Sequence, residues 1–389
     1  MFVYDPRLAE YQLDDNHPFK PVRLELTRTL VREAGLLQPE QEVEADPLDE
    51  PALLRIHSRA YVEAVRAASV GAPTSDAYGF GLGTGDNPIF PGMHEVGLDI
   101  CAATVTAVER VASGDCLRAA NFSGGLHHAL RDRASGFCLY NDVALAIDRA
   151  AARHDLRVAY VDVDAHHGDG VQWLFYEHPR VMTVSLHESG RYLFPGTGDT
   201  NEVGRGRGRG LSVNMPLEPL TEDDSFLEVF ERVVPSALEA FRPDLIVLQA
   251  GADAHRHDPL AHLALSLAGI RESYRRVREL ADSLCNGRLI VTGGGGYDPY
   301  RTVPRAWGHL WACLVGESLP DPLPESWRQA WLGRLPEALP RRPYDDTSDW
   351  PAIPQRERVA DRNRATVDRL LEPLERIWSE TLTPTRQSC

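Results

Sequence analysis

A chain of 389 residues with 43% hydrophobic and 25% charged residues has the composition of an ordinary soluble globular protein with material for a large core, which excludes disorder as the default over roughly the first 315 positions. A net charge of −16 argues against nucleic-acid binding as a global property and leaves room for a cationic or lysine-derived ligand drawn towards an acidic rim. The six cysteines (Cys101, Cys116, Cys138, Cys285, Cys313, Cys389) form no CxxC pair, so neither a disulfide framework nor a thiolate zinc site is suggested, and a reducing compartment is the simpler reading.

The N-terminus carries charges throughout, and no window approaches the ~18 apolar residues of a membrane span, so we read a cytoplasmic protein with no membrane partner. Phe2 to Tyr4 predict a first strand, Leu24 to Ala34 a helix stopped by Gly35, and Pro51 to Ala68 a second helix. Gly71 to Pro91 is rich in Gly, Pro, Asp and Asn and reads as a long surface loop. Glu95 to Val111 is a helix, Leu117 to Phe122 a strand leading into SGGLHHA, and Asp142 to Arg153 another helix. The apolar runs Val158 to Val161, Val181 to Leu186, Leu245 to Leu248 and Leu289 to Thr292 read as buried strands. Between them fall a Gly-rich loop, Gly196 to Gly210, and the helices Thr221 to Phe241, opened by a capping box of Thr221 with Asp224, and Ile270 to Leu284. This alternation predicts an α/β fold in which a parallel sheet is sandwiched by helices, with ligands at the carboxyl ends of the strands. From about Leu319 the composition shifts to Pro and charge with one amphipathic helix, Val359 to Trp378, so residues 1–318 read as one domain and 319–389 as a C-terminal extension packed on it.

The polar clusters lie at those strand ends. In VAYVDVDAHHGDG, Val158 to Gly170, a buried strand gives way to carboxylates and imidazoles. On an extended chain Asp162, Asp164 and His166 share one face. Like charges so close are unfavourable without a cation between them, so the stretch asks for a metal. A hydrolytic zinc site wants three protein ligands and an open position; Asp164 and His166 supply two, and Asp253 in QAGADAH, after another buried strand, is the best third. A lone strand-end Asp equally caps a helix or pairs with Arg; three at metal-ligand spacing weigh for the ion. Two aspartates and a histidine are hard enough to accept Fe(II) as well as Zn(II).

The adjacent His127 and His128 suggest a proton-transfer pair, each needing a carboxylate to fix its ring, for which Asp162 and Asp169 are available. The plainer alternative is one structural histidine with an irrelevant neighbour. Tyr297 ends a run of four glycines that can present its phenol into a cavity, where it would stabilise an oxyanion; otherwise it packs over the turn. The run lacks the Lys and Ser/Thr of a P-loop. GRGRGRG, Gly204 to Gly210, is short and without aromatics, so it reads as a flexible loop and not an RNA-binding tract.

Together these segments resemble the histone deacetylase superfamily. GLHHA (Gly125 to Ala129), ASGFCLYND (Ala134 to Asp142), YVDVDAHHGDGV (Tyr160 to Val171), VMTVSLH (Val181 to His187), FPGTGD (Phe194 to Asp199), GADAHRHDPL (Gly251 to Leu260) and GGGGY (Gly293 to Tyr297) occur in that family's order, and HPFKPVR (His17 to Arg23) extends the likeness to the N-terminus. The chain is most similar to the bacterial acetoin-utilisation branch. The resemblance implies an eight-stranded arginase/deacetylase-like sheet, Asp164, His166 and Asp253 as zinc ligands, His127 paired with Asp162 and His128 with Asp169, and Tyr297 as the oxyanion stabiliser. It further implies potassium held by Asp162, Asp164, His166, Ser185 and Leu186. Gly136, Phe137, Phe194 and Leu260 would line a tunnel for an acyl-lysine stem, with Asp86 at the rim.

The implied reaction is hydrolysis of an acylated, foremost acetylated, lysine side chain. Three alternatives stand beside it: deacetylation of acetylated polyamines, a binuclear ureohydrolase, and a catalytically silent acyl-lysine-binding module. Ala254 with His255 stands where a binuclear site would want another Asp. The partner is thus an acylated protein or small acylated amine; oligomeric state is not readable from the sequence.

Overall fold

Tyr160 points one way from the central strand and Ala159 and Val161 the other, and this two-residue alternation divides the core of the computed structural model, which describes residues 1–382, into two apolar layers. Between them runs an eight-stranded sheet made of β1 (Phe2–Val3), β2 (Glu42–Val43), β3 (Arg118–Asn121), β4 (Val158–Asp162), β5 (Val181–Glu188), β6 (Ser212–Leu217), β7 (Leu245–Gln249) and β8 (Leu289–Thr292). Its order is β2-β1-β3-β8-β7-β4-β5-β6 and every pairing is parallel. All strands therefore end at one edge of the sheet, and β4, β7 and β8 end side by side there.

One apolar layer belongs to α2 (Arg59–Ser69), α3 (Met93–Ser113), α4 (Asp142–Arg153) and the short α5 (Asp169–Phe175). The other belongs to α1 (Val22–Glu33), α6 (Asp223–Phe241), α7 (Leu267–Leu284), α8 (Thr302–Val315) and α10 (Arg356–Thr381). Polar caps set where these helices begin: Ser58 accepts the N–H of Tyr61, Asn141 that of Ala144, and Ser266 those of Ala268 and Gly269. A smaller cluster joins Leu26 and Leu30 of α1 to Trp327 and Trp331 of α9 (Glu325–Trp331), and the Trp327 indole donates to the Leu26 carbonyl at 3.1 Å.

The chain departs from the sequence reading in several places. Pro51 to Ala68 is two elements, a 3₁₀ turn at Glu50–Arg55 and then α2, because Ser58 caps a new start. Thr221 does not cap α6; its hydroxyl donates to the Glu218 carbonyl and accepts from Asn363 on α10. The GRGRGRG tract is pinned: Gly208 is buried, Arg205 pairs with Glu177, and the Gly210 carbonyl accepts the Trp378 indole at 2.7 Å. The elements β2, β6, α5, α8 and α9 were not predicted. Cys389 lies outside the described residues; the other five cysteines are free.

Candidate active site

β4 stops at Asp162, so the extended-chain alternation does not carry through to His166. A ladder of turns takes over: the N–H of Asp164 donates to Asp162 Oδ1 (3.1 Å) and the N–H of His166 to Asp164 Oδ1 (2.9 Å). The other Asp162 oxygen, Oδ2, faces His127, so this carboxylate does not join the side chains of Asp164 and His166. Asp253, two residues beyond Gly251 in the loop after β7, takes its place, with Oδ1 accepting the Ala165 N–H at 2.8 Å.

Asp164, His166 and Asp253 are all buried, and one ligand atom from each lies within 4.8 Å of the other two. His166 Nδ1 is 2.8 Å from Asp253 Oδ2 and 3.3 Å from Asp164 Oδ1. The remaining Asp164 oxygen accepts the Gly295 N–H at 2.7 Å. Burial, and then the charge on Asp164, push Asp253 up to about 6. Two carboxylates and an imidazole converging in a dry place fit one hard divalent cation, which would remove that conflict.

The glycine run makes the convergence possible. Gly294 and Gly296 have φ of 136° and 138°, conformations that other residues rarely adopt, and a Cβ at Gly295 would sit 2.0 Å from Asp253 Oδ2.

Facing this cluster, His127 Nδ1 is 2.9 Å from Asp162 Oδ2 and His128 Nδ1 is 2.7 Å from Asp169 Oδ1. The two Nε2 atoms stand 3.1 Å apart, a separation at which two lone pairs repel unless a proton lies between them. Burial opposes charge on His127, but the carboxylates of Asp162 and Asp164 outweigh it and raise its pKa to about 9. Burial, and then the charge on His127, lower His128 to about 4. The two imidazoles are thus pushed apart, His127 towards the protonated form and His128 towards the neutral one.

Tyr297 has its N–H bonded to Asp258 Oδ2 (2.7 Å) and its ring edge-on to His166, with centroids 6.4 Å apart. Burial, and then Asp253 and Asp164, hold its phenol well above the usual value, so it stays a proton donor. Phe137 stands edge-on to Tyr297 at 5.6 Å and Phe194 edge-on to His128 at 5.0 Å. Gly136 lies between them: a Cβ there would meet the His128 ring at 2.5 Å and Phe194 at 2.8 Å. Leu260 is half-buried beside Asp258, to which its N–H donates. Asp86 is exposed on the loop before α3, near enough to His17 to offset part of the lowering that burial imposes on its pKa, and His17 in turn packs edge-on against Phe137 at 4.4 Å. Ser185 is the register partner of Asp162, with Leu186 next to it; both are buried, and Ser185 Oγ is 2.8 Å from His187 Nδ1.

Sequence reasoning passed over the residues that hold these groups in place. Asp142 accepts the N–H groups of Gly125 and Leu126, and Asn141 donates to the carbonyls of His127 and Ala129, so the start of α4 fixes the histidine pair. Asp258, pushed up to about 8 by burial and then by Asp253, carries Tyr297. The available signals were an Asn-Asp pair at a helix start and an Asp-Pro step in the GADAHRHDPL loop.

The model of the histone deacetylase domain matches residues 17–314. The acetoin utilization protein AcuC of Bacillus subtilis (strain 168) is 42% identical over 372 residues, covering 95% of this chain and 96% of that protein. The protein of the same name from Staphylococcus aureus (strain MRSA252) is 41% identical over 365 residues, 93% of this chain and 94% of its own. Among solved structures, an HDAC homolog complexed with SAHA has a TM-score of 0.83 at 29% identity, covering 94% of this chain and 99% of its own. An HDAC homolog from Aquifex aeolicus has 0.81 at 27% identity, covering 95% and 98%.

Proposed function

The chain belongs to the histone deacetylase family, and from that premise we propose that it is a zinc-dependent deacetylase that hydrolyses the amide of an acylated, foremost acetylated, lysine side chain. The observation that carries the reading is the buried Asp164, His166 and Asp253 cluster with a carboxylate-backed imidazole pair and a tyrosine ring packed beside it. Asp164, His166 and Asp253 would hold the ion, Zn(II) or Fe(II). When bound, it supplies Lewis-acid polarisation of the amide carbonyl and a water activated at neutral pH.

The chain's own residues do the rest. Gly136, Phe137, Phe194 and Leu260 hold the methylene stem, and Asp86 at the rim takes the substrate backbone. His128, oriented by Asp169 and unprotonated, accepts a proton as water adds to the carbonyl carbon. Tyr297 donates a hydrogen bond to the carbonyl oxygen as negative charge builds on it. A protonated imidazole of the pair then delivers a proton to the nitrogen as the C–N bond breaks, and acetate and free lysine leave. Potassium bound by Asp162, Asp164, His166, Ser185 and Leu186 would steady the loop that carries two of the metal-binding residues.

We place the catalytic domain at residues 1–318, with 319–389 as an extension packed on it. A cytoplasmic setting accords with the free cysteines, and no helix among the described residues is long and apolar enough to cross a membrane. The net charge of −16 favours a second reading, acetylated polyamines, whose cationic ends an acidic protein attracts. Turnover of acyl-lysine peptides and acyl-polyamines by metal-stripped protein, with and without zinc, tests both. Zinc-dependent release of acetate from the peptides supports the first reading, preference for acetylspermidine the second, and no turnover of either ends both.

A further inference from the structure

The loop that carries Asp253 is anchored from outside the site by a residue that the proposed chemistry does not use. Asp345 lies between α9 and α10, its side chain only 7% exposed. Its Oδ2 accepts from His255 Nε2 (3.0 Å) and from the Leu267 N–H (2.8 Å), and its Oδ1 accepts from the Arg305 guanidinium (3.1 Å). His255 is fully buried, and its Nδ1 accepts the His257 N–H at 3.2 Å, which leaves Nε2 as the donor to Asp345. Two of these donors sit on elements next to the site, the loop after β7 and α8, which follows the Tyr297 turn, and the third opens α7.

Two routes lead inward from that anchor. The His255 carbonyl accepts the Asp258 N–H at 2.9 Å, and Asp258 in turn accepts the Tyr297 N–H at 2.7 Å. Thr302, 3.2 Å from His255 Nδ1, donates to Asp298 at 2.9 Å, the residue after Tyr297. On the outer side Trp350 stands 5.2 Å from His257 and 5.9 Å from His255, with the Arg256 guanidinium 5.2 Å over its ring. One carboxylate from beyond the matched domain thus ties together the loop holding Asp253 and the turn holding Tyr297.

We propose that Asp345 is a positioning residue for the active site: by anchoring His255 it fixes the 253–258 loop, and through it the Asp253 carboxylate and the backbone that presents Tyr297. What the positioned groups accomplish rests on the function proposed above; the positioning itself does not. Removing the carboxylate leaves the Nη2 of Arg305, an imidazole N–H and a backbone N–H without that acceptor, while the Arg305 Nε keeps the Arg301 carbonyl at 2.7 Å, so the loop relaxes to find others. Asparagine keeps the shape and one acceptor oxygen and relaxes it less.

The test compares the full chain with Asp345→Ala, Asp345→Asn, His255→Leu and the exposed control Asp346→Ala, each loaded with zinc. Activity on an acetyl-lysine peptide is read alongside amide hydrogen exchange of peptides spanning 251–260 and 293–300. Expected for Asp345→Ala is a loss of about 10- to 100-fold in kcat with KM nearly unchanged, and about tenfold faster exchange in both peptides. β4, β7 and β8 keep their protection, Asp345→Asn falls at least about fivefold in kcat, and Asp346→Ala matches wild type. Should Asp345→Ala fail to fold, Asp345→Asn and His255→Leu carry the comparison. Wild-type exchange in both peptides, kcat within about threefold of wild type, or a uniform loss of protection across the sheet overturns the proposal. If wild type turns over no acyl substrate, the functional reading fails while the exchange comparison still decides the anchoring.

Discussion

Gly295→Ala removes no ligand and no proton-transfer group, yet it should weaken the metal site. The φ at Gly295 lies outside the left-handed range, so alanine is conformationally allowed and the effect is steric. Its Cβ would lie 2.0 Å from Asp253 Oδ2, 2.6 Å from Asp253 Cγ and 3.1 Å from Asp164 Oδ2. Ordinary contact begins at 3.4 Å, so the Asp253 carboxylate must retreat by about 1.4 Å or the turn must move. Overpacking of this kind costs about 1–3 kcal/mol of stability. A displacement near 1 Å at a reacting centre costs about 100-fold in rate. The expected result is zinc affinity lowered at least about tenfold in competition with a chromophoric chelator, and kcat/KM on an acetyl-lysine peptide lowered about 100-fold or more. Gly79→Ala, where a Cβ meets nothing within 4 Å, serves as control and should stay within about 0.5 kcal/mol of wild type. If Gly295→Ala binds zinc and turns over within about threefold of wild type, Asp253 is not a ligand in the place argued here.

Tyr297→Phe should lower kcat about 100- to 1,000-fold with KM nearly unchanged, and near-normal turnover would remove the phenol from the reaction. Exhaustive dialysis against a chelator should abolish activity and zinc should restore it; activity that survives verified metal removal contradicts the Asp164, His166 and Asp253 assignment. Trp327→Ala empties a fully buried site in the satellite cluster and should cost about 3–5 kcal/mol by denaturant titration, while kcat measured well below the melting point stays the same. Burial lowers His57 to about 4 against an ordinary 6.5, so the folded form resists a proton that the unfolded form takes up. Stability from this group is therefore complete above pH 6.5 and is lost as pH falls towards 4, by roughly 3 kcal/mol in all. Burial puts His309 at about 4 as well, which adds to the slope in the same direction. A denaturation midpoint that stays level from pH 7 to pH 4.5 would contradict both.

The strands that build the site were legible because a strand covered on both faces is apolar without interruption, as Val158 to Val161 and Leu245 to Leu248 are, and because chemistry begins where the run ends. β6 was not legible: Ser212, Asn214 and Pro216 interrupt its apolar residues, and Pro216 is tolerated because β6 is an edge strand. α8 hid for the opposite reason, being buried on nearly every side and so lacking an amphipathic period, with Pro304 in its first turn. Within the site, the residues with reactive side chains announced themselves by type, and those that hold them did not. Asp345 and His255 meet across ninety positions of sequence, and no local pattern marks such a pair.

The stretch matched to the shared family ends at residue 314, but the hydrophobic interior does not: Val367, Leu370, Leu374, Ile377 and Trp378 belong to the same apolar layer as the middle of the sheet. Trimming an expression clone back to the recognised boundary would uncover that side of β6 and α6, inviting insolubility that is easily misread as a dead enzyme. A purification tag belongs at Met1 only on a spacer, because its ammonium group donates to the Arg118 carbonyl at 3.0 Å.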